Sequence, residues 1–160
     1  LEQEAERYLK VNNLSLEDLP EDLVVNTHIC RGNYHSTYAS SGPYDKVAPY
    51  VFAQENVHAF YLEFDDKRSG NFVSLKEIPR GKKVVLGLIT SKRPELESKE
   101  LVKRRIYEAA QYVPLRDLYL SPQCGFAYCE IGNKLTEEEQ FAKLRLVKEI
   151  AEEVWGKEED

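Results

Sequence analysis

A chain of 160 residues, 42% hydrophobic and 31% charged, is about the size of one globular domain. No apolar run approaches the roughly 20 residues of a membrane span, and a net charge of −6 with the two signs interspersed excludes a nonspecific nucleic-acid surface. Three cysteines without a disulfide-framework spacing, behind an acidic and helix-like N-terminus, fit a reducing compartment, read here as the cytoplasm. With no methionine anywhere, not even an initiator, the chain is expected to be a segment of something longer.

In chain order, residues 1–11 are rich in Glu, Ala and Leu and predict a helix that closes at Asn12-Asn13. A strand follows over residues 23–29, then a long polar loop over 30–43, of the length that usually carries function. Residues 44–56 predict a crossover helix, with Pro49 at a kink or near its start. The second strand covers 59–64, a short helical or irregular piece 72–78, and the third strand 83–89 is apolar on both faces, as in a covered parallel sheet. An amphipathic helix over 98–112 aligns Val102, Ile106, Ala109 and Val113. The fourth strand spans 117–121. A capping box from Thr136 to Glu139 then opens a last helix whose expected inner face is Leu144, Val147, Ala151 and Val154.

Strand starts near residues 23, 58, 83 and 117 give a βα unit of roughly 25 to 35 residues, the signature of a parallel sheet. A (β/α)8 barrel needs about 250 residues, so this α/β chain supplies about half of a TIM barrel, four βα units, or else an open sheet. In either case active sites lie at the C-terminal ends of the strands.

Alternation along a strand turns His28 and Cys30 to the same side. Glu63 and Cys124 stand at two other strand ends. Two thiolates, an imidazole and a carboxylate are a zinc-type donor set, and the same residues also have an ordinary reading as buried thiols and a hydrogen-bonded histidine. Arg31, Asn33 and His35 follow the pair directly, placed to touch substrate or simply solvated. Asp65 shares a face with Glu63 and could recognise a substrate amine, orient a ligand, or cap the following turn. His58 precedes its strand and belongs to the opposite end of the sheet, a structural position. Trp155 is expected in packing.

Three stretches carry a resemblance: Asn26-Thr27-His28-Ile29-Cys30-Arg31-Gly32-Asn33, Tyr61-Leu62-Glu63-Phe64-Asp65-Asp66 and Ser121-Pro122-Gln123-Cys124-Gly125-Phe126. In order and spacing they resemble the C-terminal catalytic region of cobalamin-independent methionine synthase, most closely its short bacterial and archaeal relatives, from about Leu1 to Trp155. The resemblance implies a single domain over residues 1–160, the second half of a (β/α)8 barrel, with Zn2+ held by His28, Cys30, Glu63 and Cys124. It implies transfer of a methyl group to a zinc-bound thiol, homocysteine or a related small thiol, with Glu63 the ligand that yields because a carboxylate is less committed to zinc than a thiolate. Substrate contacts fall to Arg31, Asn33 and Asp65. Cys129 lies where the relatives carry small polar residues, outside the ligand set.

One departure bears on the donor. Where the large folate-using enzymes carry an Asp-Ile-His-Ser-Pro run whose histidine helps protonate the folate, this chain has Leu88-Ile89-Thr90-Ser91-Lys92. The donor is therefore left open between a methyl-folate and a methyl-corrinoid. The alternative expectation is a truncated half-barrel that binds zinc without catalysis. Its exposed edges would pair with a second copy, in a homo-oligomer, or with the missing N-terminal half.

Overall fold

The computed structural model describes residues 2–157. Its elements run α1 (Glu2–Ser15), β1 (Asn26–Ile29), the two-residue strands β2 (Asn33–Tyr34) and β3 (Thr37–Tyr38), α2 (Val51–Gln54) and β4 (Ala59–Glu63). They continue with β5 (Lys83–Ile89), α3 (Lys99–Ala109), β6 (Leu118–Pro122) and α4 (Glu137–Trp155), with short 3-10 turns between. The strands β1, β4, β5 and β6 lie side by side in that order, every neighbouring pair parallel. Parallel neighbours cannot be joined by tight turns, so each connection must cross a face of the sheet. The chain is thus an α/β parallel-sheet unit.

The two faces of the sheet differ. Phe60, Leu62, Val84, Leu86, Leu88 and Leu118 point to one side and are buried with Phe52, Leu75, Val102, Ile106 and Ile150. Full burial of each large apolar side chain contributes about 1.5–3 kcal/mol. Four ring contacts at 4.7 to 5.4 Å link Tyr44, Phe52, Phe60, Phe64 and Phe72 into one aromatic seam. On the other face the register aligns His28, Tyr61, Val85 and Tyr119. Tyr61 and Tyr119 there remain 37% and 40% exposed, so this face is only half covered.

Several expectations shift at the edges. Leu1 lies outside the described residues, and α1 runs on to Ser15 instead of ending at Asn12-Asn13. Both asparagines are held across the fold: Asn12 Nδ2 donates to Glu55 Oε1 at 2.9 Å and Asn13 Nδ2 to the Gln54 carbonyl at 3.0 Å. Tertiary partners thereby override their local preference for ending a helix. The first strand begins at Asn26 rather than Leu23, because β4 offers no ladder partner before Ala59. Val25 N–H is instead taken by His58 Nδ1 at 2.9 Å, which gives His58 its structural role.

The helix expected over residues 44–56 shrinks to the single turn Val51–Gln54. Pro49 lacks the N–H a continuous helix needs, and Tyr44 to Tyr50 form turns. α3 buries Val102, Ile106 and Ala109 as its spacing requires, with Val113 buried just beyond. In α4 the capping box at Thr136 is present, but the buried stripe is Lys143, Leu146 and Ile150, while Leu144 is 39% exposed. Lys143 can occupy a core position because Glu97 receives its ammonium at 3.1 Å. The stripe is therefore rotated by about one residue from the apolar one.

Candidate metal centre

His28 lies in β1 and Cys30 one residue past its end, β4 ends in Glu63, and Cys124 follows β6 by two residues. The edge-to-edge parallel register carries these ends to one side of the sheet, and one ligand atom from each of the four lies within 4.8 Å of the others. His28 Nε2 and Cys124 Sγ are 3.6 Å apart. A tetrahedral ion with bonds of about 2.3 Å to sulfur and 2.0 Å to nitrogen has an S···N edge of about 3.5 Å, close to this separation, and the donor set is of the zinc type. The pocket at this end encloses about 280 Å³ among His28, Tyr61, Ser121, Gln123 and Cys124. A larger one of about 520 Å³ opens among Arg80, Tyr112 and Arg116, at the start of β5 and β6, and none of the four residues lines it.

The surroundings of the four are specific. Gly32 N–H donates to Cys30 Sγ at 3.3 Å, and Asn33 Nδ2 lies 3.4 Å from the same sulfur. Gly32 has φ 71°, and a Cβ there would meet the Ala39 side chain at 2.9 Å, so only glycine can make this turn without strain. Asn33 Nδ2 also donates to Glu63 Oε1, while Oε2 accepts Arg31 N–H at 3.2 Å and Arg68 NH2 at 3.5 Å. Glu63 is fully buried, and charge-assisted bonds hold its carboxylate in place. The Cys124 thiol is pushed up to about 11, first by burial and then by the neighbouring Cys30. A divalent cation would offset both effects.

The candidate substrate residues are wired into the protein. Arg31 is 5% exposed. It donates through Nε and NH2 to the Gly42 carbonyl, and through NH1 to Tyr44 Oη and the Glu63 carbonyl, both at 2.8 Å. Asn33 joins two of the four ligand candidates. The Asp65 side chain is buried against Lys92 Nζ and lies 3.6 Å from Arg68 NH2. His35 sits at the tip of the β2–β3 hairpin, its Nδ1 3.0 Å from the Gly132 carbonyl. Cys129 is not part of the four-residue cluster.

Several residues escaped sequence reasoning. Tyr44 Oη donates to the Ile29 carbonyl at 3.1 Å and accepts Glu63 N–H at 2.9 Å, tying the ends of β1 and β4 together; burial pushes it up to about 12. Gln123 Oε1 accepts Ser91 N–H at 2.6 Å, and Ser91 Oγ lies 2.6 Å from the Tyr128 hydroxyl, which fixes the Cys124 loop against β5. Arg68 reaches Glu63 from the loop after β4. None of these has a local signature. Gly87 does: a lone glycine inside an apolar strand signals close backbone approach, and a Cβ there would stand 2.6 Å from Gln123 Cα and 2.7 Å from the Leu62 carbonyl oxygen.

Comparison with known proteins places the chain in a family. The profile of the cobalamin-independent synthase catalytic domain matches residues 10–153. The uncharacterized protein YxjH of Bacillus subtilis (strain 168) is 54% identical over 149 residues, which cover 92% of this chain and 40% of that protein. A crystal structure from Listeria monocytogenes, described as that of a putative vitamin-B12 independent methionine synthase, superposes with a TM-score of 0.75 at 42% identity, over 96% of this chain and 42% of that one. A B12-independent methionine synthase from Shewanella sp. W3-18-1, in complex with selenomethionine, shares the fold with a TM-score of 0.74 at 24% identity, over 91% of this chain and 42% of that one. The chain thus spans about two fifths of the length of these relatives, and its four-stranded parallel sheet is of the TIM-barrel family. The chain belongs to the cobalamin-independent synthase catalytic-domain family.

Proposed function

We propose that this chain is the zinc-holding C-terminal half of a barrel that transfers a methyl group to a small thiol, with homocysteine as acceptor and methionine as product. The observation that carries the reading is the gathering of His28 Nε2, both thiols and the Glu63 carboxylate within 4.8 Å. Zinc bound there would keep an incoming thiol deprotonated and its sulfur nucleophilic at neutral pH. The protein's own part is to present four donors with little reorganisation. Gly32 and Asn33 orient Cys30; Arg31 N–H, Asn33 and Arg68 orient Glu63; Gln123 and Ser91 hold the loop of Cys124.

Asn33 and Asp65 are the residues we assign to the amino-acid end of the thiol, and Arg31 acts by fixing the strand ends beneath it. The donor is a methyl-folate or a methyl-corrinoid. Thr90, Ser91 and Lys92 are buried, with Lys92 paired to Asp65, so this strand end presents no histidine to protonate a folate. No helix among the described residues is long and apolar enough to cross a membrane, and we place the protein in the cytoplasm.

A second reading, a zinc-binding half-barrel without catalysis, is favoured by the half-open face at Tyr61 and Tyr119. Metal analysis of the purified protein against Cys124→Ser tests the ligand set. Equal zinc in both would refute it. Methyl transfer to homocysteine, assayed with each donor in the presence of the N-terminal half, separates the two readings: methionine formation supports the enzyme, and its absence with both donors supports the zinc-binding unit.

A further inference from the structure

β1 and β6 form opposite edges of the four-stranded sheet, three strand spacings apart. At about 4.8 Å per spacing a flat sheet would hold these edges about 14 Å apart. Yet His28 Nε2 from the first edge and Cys124 Sγ from just beyond the second are 3.6 Å apart. The sheet must curl, and something must hold the curl. Three hydrogen bonds join the loops that leave the two edges. His35 Nδ1 donates to the Gly132 carbonyl at 3.0 Å, Ser36 N–H donates to Asn133 Oδ1 at 3.0 Å, and Lys134 N–H donates to Ser36 Oγ at 2.9 Å. The backbone there is strained. His35 and Ser36 make up the two-residue turn between β2 and β3 at φ 40° and 63°, positions that asparagine and glycine fill at lower cost. Tyr128, in the opposing loop, has φ 55°. Three of the four non-glycine residues with positive φ among the described residues are thus in these two loops. Such strain persists only where surrounding contacts impose it, and the three hydrogen bonds do so.

We infer that His35, Ser36 and Asn133 are positioning residues that clasp the two edges of the sheet and fix the distance between the His28–Cys30 pair and Cys124. The inference rests on the zinc reading above. Each side of the clasp has a short route to a ligand. On the β1 side the hairpin opens with Asn33, whose Nδ2 lies 3.4 Å from Cys30 Sγ. On the β6 side Asn133 Nδ2 donates to the Ser91 carbonyl at 2.9 Å, and Ser91 N–H donates to Gln123 Oε1, next in the chain to Cys124. A cation held by these ligands would bridge the same two edges. Clasp and metal therefore stabilise one arrangement of the sheet, and closing either favours the other by the same factor. The clasp gives this chain a ligand set that needs little reorganisation to take up metal.

Two measurements on the whole chain test this, with zinc alone as the probe. Amide hydrogen exchange reads closure of the clasp at the Ser36 and Lys134 N–H groups, and saturating zinc should slow both about tenfold. Chelator competition with a His35→Ala, Ser36→Ala double variant should show zinc bound about tenfold more weakly. The cobalt(II)-loaded variant should also lose intensity in the visible bands that report a tetrahedral site. A hairpin that serves only the fold would lower the melting temperature of the metal-free protein and leave zinc affinity and the cobalt spectrum as in wild type. That result overturns the inference. So does exchange at Ser36 and Lys134 that zinc does not slow, a measurement on the wild-type protein that stands even if the variant does not fold. Failure of the wild-type protein to bind metal removes the zinc reading and the clasp's role with it, whereas metal bound without coupling removes the clasp's role alone.

Discussion

Gly87→Ala is the sharpest perturbation of the framework beneath the candidate metal centre. Gly87 is the β5 partner of Glu63, and the register between β5 and β6 shifts between Gly87 and Ile89. An added Cβ would stand 2.6 Å from Gln123 Cα and 2.7 Å from the Leu62 carbonyl oxygen, both backbone atoms that no rotamer change can move. Relief requires β4 and the segment after β6 to separate by several tenths of an ångström. Glu63 rides on the first and Cys124 on the second. Overpacking of this kind costs about 1–3 kcal/mol, and two backbone contacts put Gly87→Ala near about 3 kcal/mol, a fall of roughly 10 °C in melting temperature. Spreading of the ligand ends should also weaken zinc binding about tenfold. Thermal melts of the metal-free protein and chelator-competition titrations read the two effects separately. A folded variant with melting temperature within about 2 °C of wild type and unchanged zinc affinity would refute the claim that this close approach sets the site.

Two further outcomes follow from buried polar groups. Lys143 is fully buried, donating to the Glu95 carbonyl at 2.7 Å and to Glu97, whose Oε1 also accepts Thr90 N–H at 2.8 Å. Lys143→Ala should cost about 3 kcal/mol in urea denaturation because it leaves Glu97 short of its cation, and a loss below about 1 kcal/mol would contradict the pairing. Because the Cys124 thiol stays protonated up to about pH 11, zinc must displace its proton. Apparent zinc affinity should therefore rise with pH through neutrality, and Cys124→Ser should lower that slope by about one proton. In the metal-free protein the sign reverses. The unfolded thiol ionises near its ordinary 9.0 and the folded one near 11, so this contribution to stability is complete below about pH 9 and declines as the pH rises toward 11. Melts across that range, with Cys124→Ser as control, measure it.

Much of the framework is legible in one dimension. The alternation of apolar strands with helical segments yields four parallel strands. Residue parity puts His28 and Cys30 on one side, and the spacing of Val102, Ile106 and Ala109 selects the buried face of α3. These follow from local periodicity, which belongs to the chain itself. The errors fall where distant partners intervene. Lys143 reads as a surface residue until Glu97 is beside it, so the face of α4 is misjudged by one position. Asn12 and Asn13 read as a helix stop until Glu55 and Gln54 claim their side chains. The β2–β3 hairpin turns through His35 and Ser36 at φ 40° and 63°, without the glycine that would announce it.

The sequence by itself determined the candidate donors: which residue types could hold a soft divalent cation, and that they stand at the C-terminal ends of strands. Only the tertiary structure decided how each donor is held. Arg31 could be placed near the substrate from its position after Cys30, but the fold turns it inward onto Gly42, Tyr44 and Glu63. Arg68, five residues past Glu63 in a polar loop, carries no pattern at all, yet folding buries it against that carboxylate. The physical reason is range. Periodicity and parity act between neighbours in the chain, whereas pairing of buried charges depends on which segments meet in three dimensions.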